Sequence, residues 1–194
     1  MKENPIEDEF TDHDVPRSAE EIARRAIALH CVIAASHGVS REDLSKWLKQ
    51  EELWDALSPI EEKFLRSASP TTNEVRNATW RVEAQVALLW AISKIESMSG
   101  LSEQCDTGPL VDAIPDLFSE TEDFIRSAVL RDREAVHEEY ERVYNAHWKA
   151  RDAVRRGVPI PDSVDLEIVQ ERHYGFNWLI GYEGLDWDQI TTDT

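Results

Sequence analysis

The chain is short of the residue types that most often mark chemistry. Of its 194 residues only two are cysteine, Cys31 and Cys105, and they form no short-spaced pair that would suggest zinc or a redox motif. A Gly-rich phosphate loop and a nucleophile elbow are both missing, and no motif calls for a cofactor or a metal. Long apolar runs are missing too. The longest, "VALLWAI" at 86–92, is far too short to cross a bilayer, so no membrane span is expected. The opening "MKENPIEDEF" lacks the basic and then oily profile of a signal peptide. With so few cysteines, a reducing cytoplasm is the expected location. Positive charge is scarce: 21 Lys and Arg face 39 Asp and Glu, for a net charge of −18. That balance repels phosphate backbones, and no basic stripe offsets it, so no nucleic-acid partner is expected. An acidic surface keeps a protein soluble and attracts basic proteins, so a basic protein is the expected partner if there is one. Nothing in the sequence sets an oligomeric state.

Strand-type alternation with hairpin turns is absent, as are repeats, low-complexity tracts and long linkers. What is present is helical. Hydrophobic residues make up 41% of the chain and include seven Trp, enough for one domain that buries roughly 70% of its unfolded surface. Residues 1–16 carry Glu3, Glu7, Asp8, Glu9, Asp12 and Asp14 with little to bury, and read as a flexible acidic arm. The remainder, 17–194, reads as a single helical domain. Ser18 with Glu21, Ser58 with Glu61 and Ser119 with Glu122 have capping-box spacing, and Pro59 suits a first helical position. Ser40 restarts a helix after Gly38, and "TTNE" opens a long one over about 73–98. Another runs from about 132 to Gly157, beyond which Pro159 and Pro161 forbid continuation. A last helix spans about 164–180 and ends at Gly181. The expected fold is an all-α bundle of about seven or eight helices with an ordered C-terminal segment.

Counting helical phase at about 100° per residue places several polar groups among oily ones. In the 164–180 helix, Arg172 falls between Leu179 and Phe176, and His173 between Ile180 and Leu166. Asn177 lies one turn further on. Glu171 lies on another edge, beside Trp178. In the 132–157 helix, His147 sits within the arc of Val136, Tyr140, Val143, Tyr144, Ala150 and Val154, and Arg151 is one turn on, on the same side. In the 73–98 helix, Arg81 and Glu83 diverge by about 200°, so they serve different faces. A buried Arg needs a carboxylate. The candidates are Glu83, Glu171 and the closing acids Asp186, Asp188 and Asp193, with Trp187 as the anchor that docks the closing segment. Trp80, Trp90, Trp148 and Trp178 read as packing between helices.

"WRVEAQVALLWAI" (80–92), "HWKAR" (147–151), "ERHYGFNWL" (171–179) and "WDQITTDT" (187–194), in that order, resemble the bacterial domain of unknown function 4272. "LSPIEEKFL" and the Arg-rich first helix fit as well. The resemblance runs from about residue 18 to the end. It implies a cytosolic helical protein without an assigned activity, and it transfers no catalytic residue and no ligand.

The polar cluster supports two readings. In the first, the ion pairs fix how helices pack, and the protein acts by binding another protein in an immunity-like or regulatory role. In the second, Arg81, Glu83, His147, Arg151, Glu171, Arg172 and His173 line an open pocket of an enzyme or small-anion sensor, which requires a wet cleft. His137 with Glu134 and Glu141 lacks the second His of a zinc helix and reads as helix surface. Cys31 beside His30 is no dyad, because adjacent helix residues point apart.

Overall fold

The computed structural model describes residues 16–194, so the acidic arm lies outside the described residues apart from Pro16. Among the described residues there are eight α-helices and no strand, in agreement with the all-α expectation. Helix α1 (Ala19–Ser36) starts at the Ser18–Glu21 capping box, and α3 (Pro59–Arg66) at the Ser58–Glu61 box with Pro59 at its first position. Between them, α2 (Arg41–Gln50) is capped by Ser40. The Thr71–Glu74 box starts α4 (Thr72–Ala91). Two short helices, α5 (Thr107–Asp112) and α6 (Glu122–Arg126), lie in the long connection to α7 (Arg133–Arg156). Helix α8 (Leu166–Ile180) follows. Gly157 and Gly181 end α7 and α8 in left-handed geometry, at φ 65° and 75°, which a residue without a Cβ adopts at little cost.

Two of the expected boundaries are corrected. The long helix stops at Ala91 rather than near 98. Arg131 accounts for this: its backbone N–H donates to Ala91 O (2.9 Å), its Nε to Trp90 O (2.7 Å) and its Nη2 to Ile95 O (2.7 Å). The carbonyls that would lie free at the helix end are thus taken by a residue about 40 positions away, and the chain is released to turn. The Ser119–Glu122 capping box does not form. Ser119 Oγ donates to Asp116 O instead, and Thr121 stands before α6. Both the N–H and the hydroxyl of Thr121 donate to Glu51 Oε2 at 2.9 Å, so the acceptor comes from the end of α2.

Helix α4 is the centre of the bundle, packed between α1 and α8, with α7 laid on α8. The α4–α8 crossing is close because of Gly175. A Cβ there would lie 3.0 Å from Ala84 O and 3.2 Å from Ala84 Cα. Helix α7 has 24 residues against 15 in α8, roughly 36 Å against 22 Å. Helix α7 therefore extends beyond the helix that covers it. Val154, in phase with the core arc, is 55% exposed although Ala150 and Ala153 beside it are buried, and Trp148 at 46% faces solvent rather than packing between helices.

Three short 3-10 turns complete the chain, at Trp54–Ala56, Tyr182–Gly184 and Trp187–Gln189. The closing segment is docked as expected. Trp187 and Ile190 are buried, and Trp187 meets Trp178 edge to face at 5.5 Å. Tyr174 Oη donates to Trp187 O, and Asn177 Nδ2 to Thr191 O at 2.8 Å.

Candidate functional site

The inward cation of α8 finds its acid on α4. Arg172 and Glu83 are both fully buried. Arg172 Nε and Nη2 each lie 2.9 Å from Glu83 Oε2. Nη1 donates to Ser99 O and Nη2 to Ser99 Oγ, both at 2.8 Å. The other carboxylate oxygen, Glu83 Oε1, accepts the Cys105 N–H at 2.8 Å. The pair therefore joins two helices and also pins both ends of the 99–105 loop. Both side chains are thereby closed off from solvent.

The neighbouring residue makes a second crosslink between the same helices. Arg81 Nη1 donates to Glu171 Oε2 at 3.0 Å, with both side chains about one-fifth exposed. Arg81 also lies over the ring of Tyr174, 4.4 Å from its centroid. Burial pushes the Glu171 carboxyl up from its ordinary value, against the pull of Arg81. The divergence of Arg81 and Glu83 read from phase is thus matched by the divergence of Glu171 and Arg172.

The two histidines meet each other. His147 Nδ1 and His173 Nδ1 are 3.0 Å apart, so one ring donates and the other accepts. His147 Nε2 is buried without a partner. A bare lone pair is a cheaper orphan than an N–H, which assigns the shared proton to His147 Nδ1. Burial pushes His147 down to about 4, and the charge of Arg151 acts in the same direction. Burial, then the neighbouring His147, pushes His173 down to about 3. Both rings are neutral near pH 7. Tyr140 and Tyr144 close over His173 at 5.9 and 5.4 Å between ring centroids.

Other members of the expected cluster lie elsewhere. Arg151 is exposed, on the side of α7 away from the buried Ala150 and Ala153. Asp186, Asp188 and Asp193 do not neutralise Arg172. Asp186 shares a capping box with Gln189, and Asp188 Oδ2 accepts the Ile60 N–H at 2.9 Å, at the start of α3. Asp193 is exposed. Arg172, Glu83, His147 and His173 are all at most 1% exposed, so the wet cleft required by the second reading does not open there.

Sequence reading missed a third pair. Arg25 of α1 is 3% exposed and grips Glu61 with two hydrogen bonds, Nη1 to Oε2 at 2.8 Å and Nη2 to Oε1. Glu61 is also the capping carboxylate of α3, so one side chain both starts that helix and ties it to α1. The signal was available: Arg25 shares a helical face with Ile22, Ala28 and Leu29, at spacings of three and four.

Also missed was a run of single-signed charge. Residues 95–125 hold Glu96, Glu103, Asp106, Asp112, Asp116, Glu120, Glu122 and Asp123, and neither Lys, Arg nor His. All eight acids are exposed. Val111 and Phe118 stand among them, 51% and 52% exposed. Glu122 and Asp123 pair with Arg126, and Asp106 caps α5. For the other five, no Lys or Arg lies within ion-pair distance among the described residues.

No group of three or more His, Cys, Asp or Glu that could hold a metal occurs among the described residues, and no helix there is long and apolar enough to cross a membrane. The class these features define is an all-α protein with buried ion pairs between its helices and its charge asymmetry at the surface. The chain belongs to the family described as Domain of unknown function (DUF4272), which it matches over residues 3–190. No curated protein and no solved structure matches it.

Proposed function

We propose that the protein acts by binding a basic protein partner, in an immunity-like or regulatory role in the cytoplasm. The observation that carries this reading is the flank of residues 95–125, with exposed acids, no basic residue and Phe118 and Val111 among them. Long-range attraction steers a cationic partner toward such a flank, and exposed apolar side chains give it something to bury on arrival. The burial of Arg172, Glu83, His147 and His173 supports the same reading, because groups closed off from solvent are in keeping with packing. Two buried, unpaired cysteines are in keeping with a reducing compartment.

The test reverses charge where the fold is not at stake. The variant Glu103→Lys/Asp112→Lys/Asp116→Lys/Glu120→Lys alters only exposed side chains. Affinity capture from the native host is followed by calorimetry on the purified partner. A basic protein is expected that binds the wild type, weakens as salt rises and loses at least tenfold in affinity for the variant, a change of about 1.4 kcal/mol. Equal binding by both proteins, or a partner without excess positive charge, overturns the reading.

A further inference from the structure

A cleft of about 700 Å3 opens where the first turn of α1, residues 55–60 and the closing segment 186–189 converge. It lies outside the acidic flank, and its size falls within the range of small-molecule sites. Acids and arginines both line it, but their hydrogen-bonding capacity is unequally engaged. Glu21 accepts the N–H and hydroxyl of Ser18, both at 2.8 Å. Asp186 and Asp188 are held in the helix-start contacts already described, which leaves Asp55 as the acid without a side-chain partner.

The arginines are in the opposite condition. Arg17 gives one N–H to Leu185 O at 2.9 Å, and Arg24 gives one to Glu52 O. Neither has a carboxylate within ion-pair distance among the described residues, although a guanidinium carries five N–H donors. A second observation points the same way. Arg17 Nε, Arg25 Nε and Trp187 Nε1, all on residues lining the cleft, are buried donors with no acceptor. Arg25 and Trp187 are 3% and 4% exposed. Orphaned buried donors are uncommon in native proteins, and three on residues around one cleft mark a neighbourhood short of oxygen acceptors, with the three atoms themselves beneath its surface.

We propose that this cleft binds a small anion, whose carboxylate or phosphate is held by Arg17 and Arg24. The planar fork of arginine takes two oxygens of an oxyanion at once. Arg17 already lies over the Trp178 ring at 5.2 Å and Arg25 over Trp187 at 3.9 Å. Arg17 is thus held against a flat apolar wall, where an oxyanion would meet it partly desolvated. The site is independent of the partner-binding reading, since none of its residues belongs to 95–125.

Isothermal titration of the full chain at low ionic strength tests this, with inorganic phosphate in one arm and succinate in the other, and potassium chloride at matched ionic strength as the control. Saturable one-to-one binding is expected in at least one arm and none with chloride; the arm that responds distinguishes phosphate from carboxylate. Arg24→Gln should weaken it about tenfold, as expected for one charge-assisted hydrogen bond. Asp55→Asn, which removes the unengaged acid, should tighten it, a gain that loss of fold cannot produce. Absence of saturable binding in both arms overturns the proposal, as does binding that neither variant changes.

Discussion

Arg172 and Glu83 show what one buried ion pair does when all its atoms are engaged. Removing one partner leaves the other charged and enclosed, which typically costs about 3–5 kcal/mol. Glu83→Ala should therefore lower unfolding free energy by that amount and also free the Cys105 end of the 99–105 loop. The double variant Glu83→Leu/Arg172→Leu, which buries no charge, should recover most of the loss; denaturant melts of the three proteins check this. The histidines make the protein sensitive to acid. Their folded values, about 4 and about 3, lie below the ordinary 6.5. The unfolded chain thus binds more protons between these limits, and stability is lost as pH falls from 6.5 toward 4. Each unit of difference corresponds to about 1.4 kcal/mol, so together the pair should account for several kcal/mol. Melts from pH 7.5 to 4.5 should show this slope, and His147→Leu/His173→Leu should flatten it. Phase counting could find that Arg172, His147 and His173 point inward, since direction is local. Which carboxylate meets Arg172 is not local, because Glu83, Glu171 and the closing acids all satisfied the same requirement. Arg25 was legible by the same phase count and shows that basic residues in an apolar arc repay attention wherever they fall.

Elements were legible where their limits are set by neighbours in sequence. Ser18, Ser58 and Thr71 start helices through carboxylates three residues on, and Gly157 and Gly181 stop them. The end of α4 and the start of α6 were not legible, because Arg131 and Glu51 reach them from elsewhere in the chain. Nor does a helical pattern reveal how much of the α7 surface its neighbours cover, so Val154, Arg151 and Trp148, expected inside, are found outside. The crossing of α4 and α8 supplies a test at this scale. Glycine in a helix interior ordinarily costs about 1 kcal/mol relative to alanine, so Gly175→Ala would stabilise an isolated helix. Here the added methyl meets the backbone of Ala84 at 3.0 Å, and that backbone is part of a rigid helix. A net loss of about 1–3 kcal/mol is expected from the overpacking, visible as a lower thermal midpoint. An unchanged or raised midpoint would show that the two helices can separate freely.

For the molecule as a whole, the excess of acids is the dominant long-range force. A net charge of −18 opposes compaction by self-repulsion, and salt screens exposed charges beyond about 8 Å at physiological strength. Raising sodium chloride from 20 to 300 mM should therefore raise the thermal midpoint by a few degrees, while weakening capture of a basic partner. Opposite responses of stability and binding to one variable separate the two roles of the charge. The sealed pairs and the mouth of the cleft have a further consequence for how the chain reaches this state. Arg17 touches Leu185 across 168 positions, and Arg25 is stacked on Trp187. Helix α1 is made early and roofed late. The oily stripe of α1 is covered by α4, but through most of synthesis the guanidinium groups of Arg17 and Arg25 wait for a cover that emerges only near residue 187, so a nascent or prematurely ended polypeptide carries an open flank that cellular proteases and chaperones can tell from the finished form.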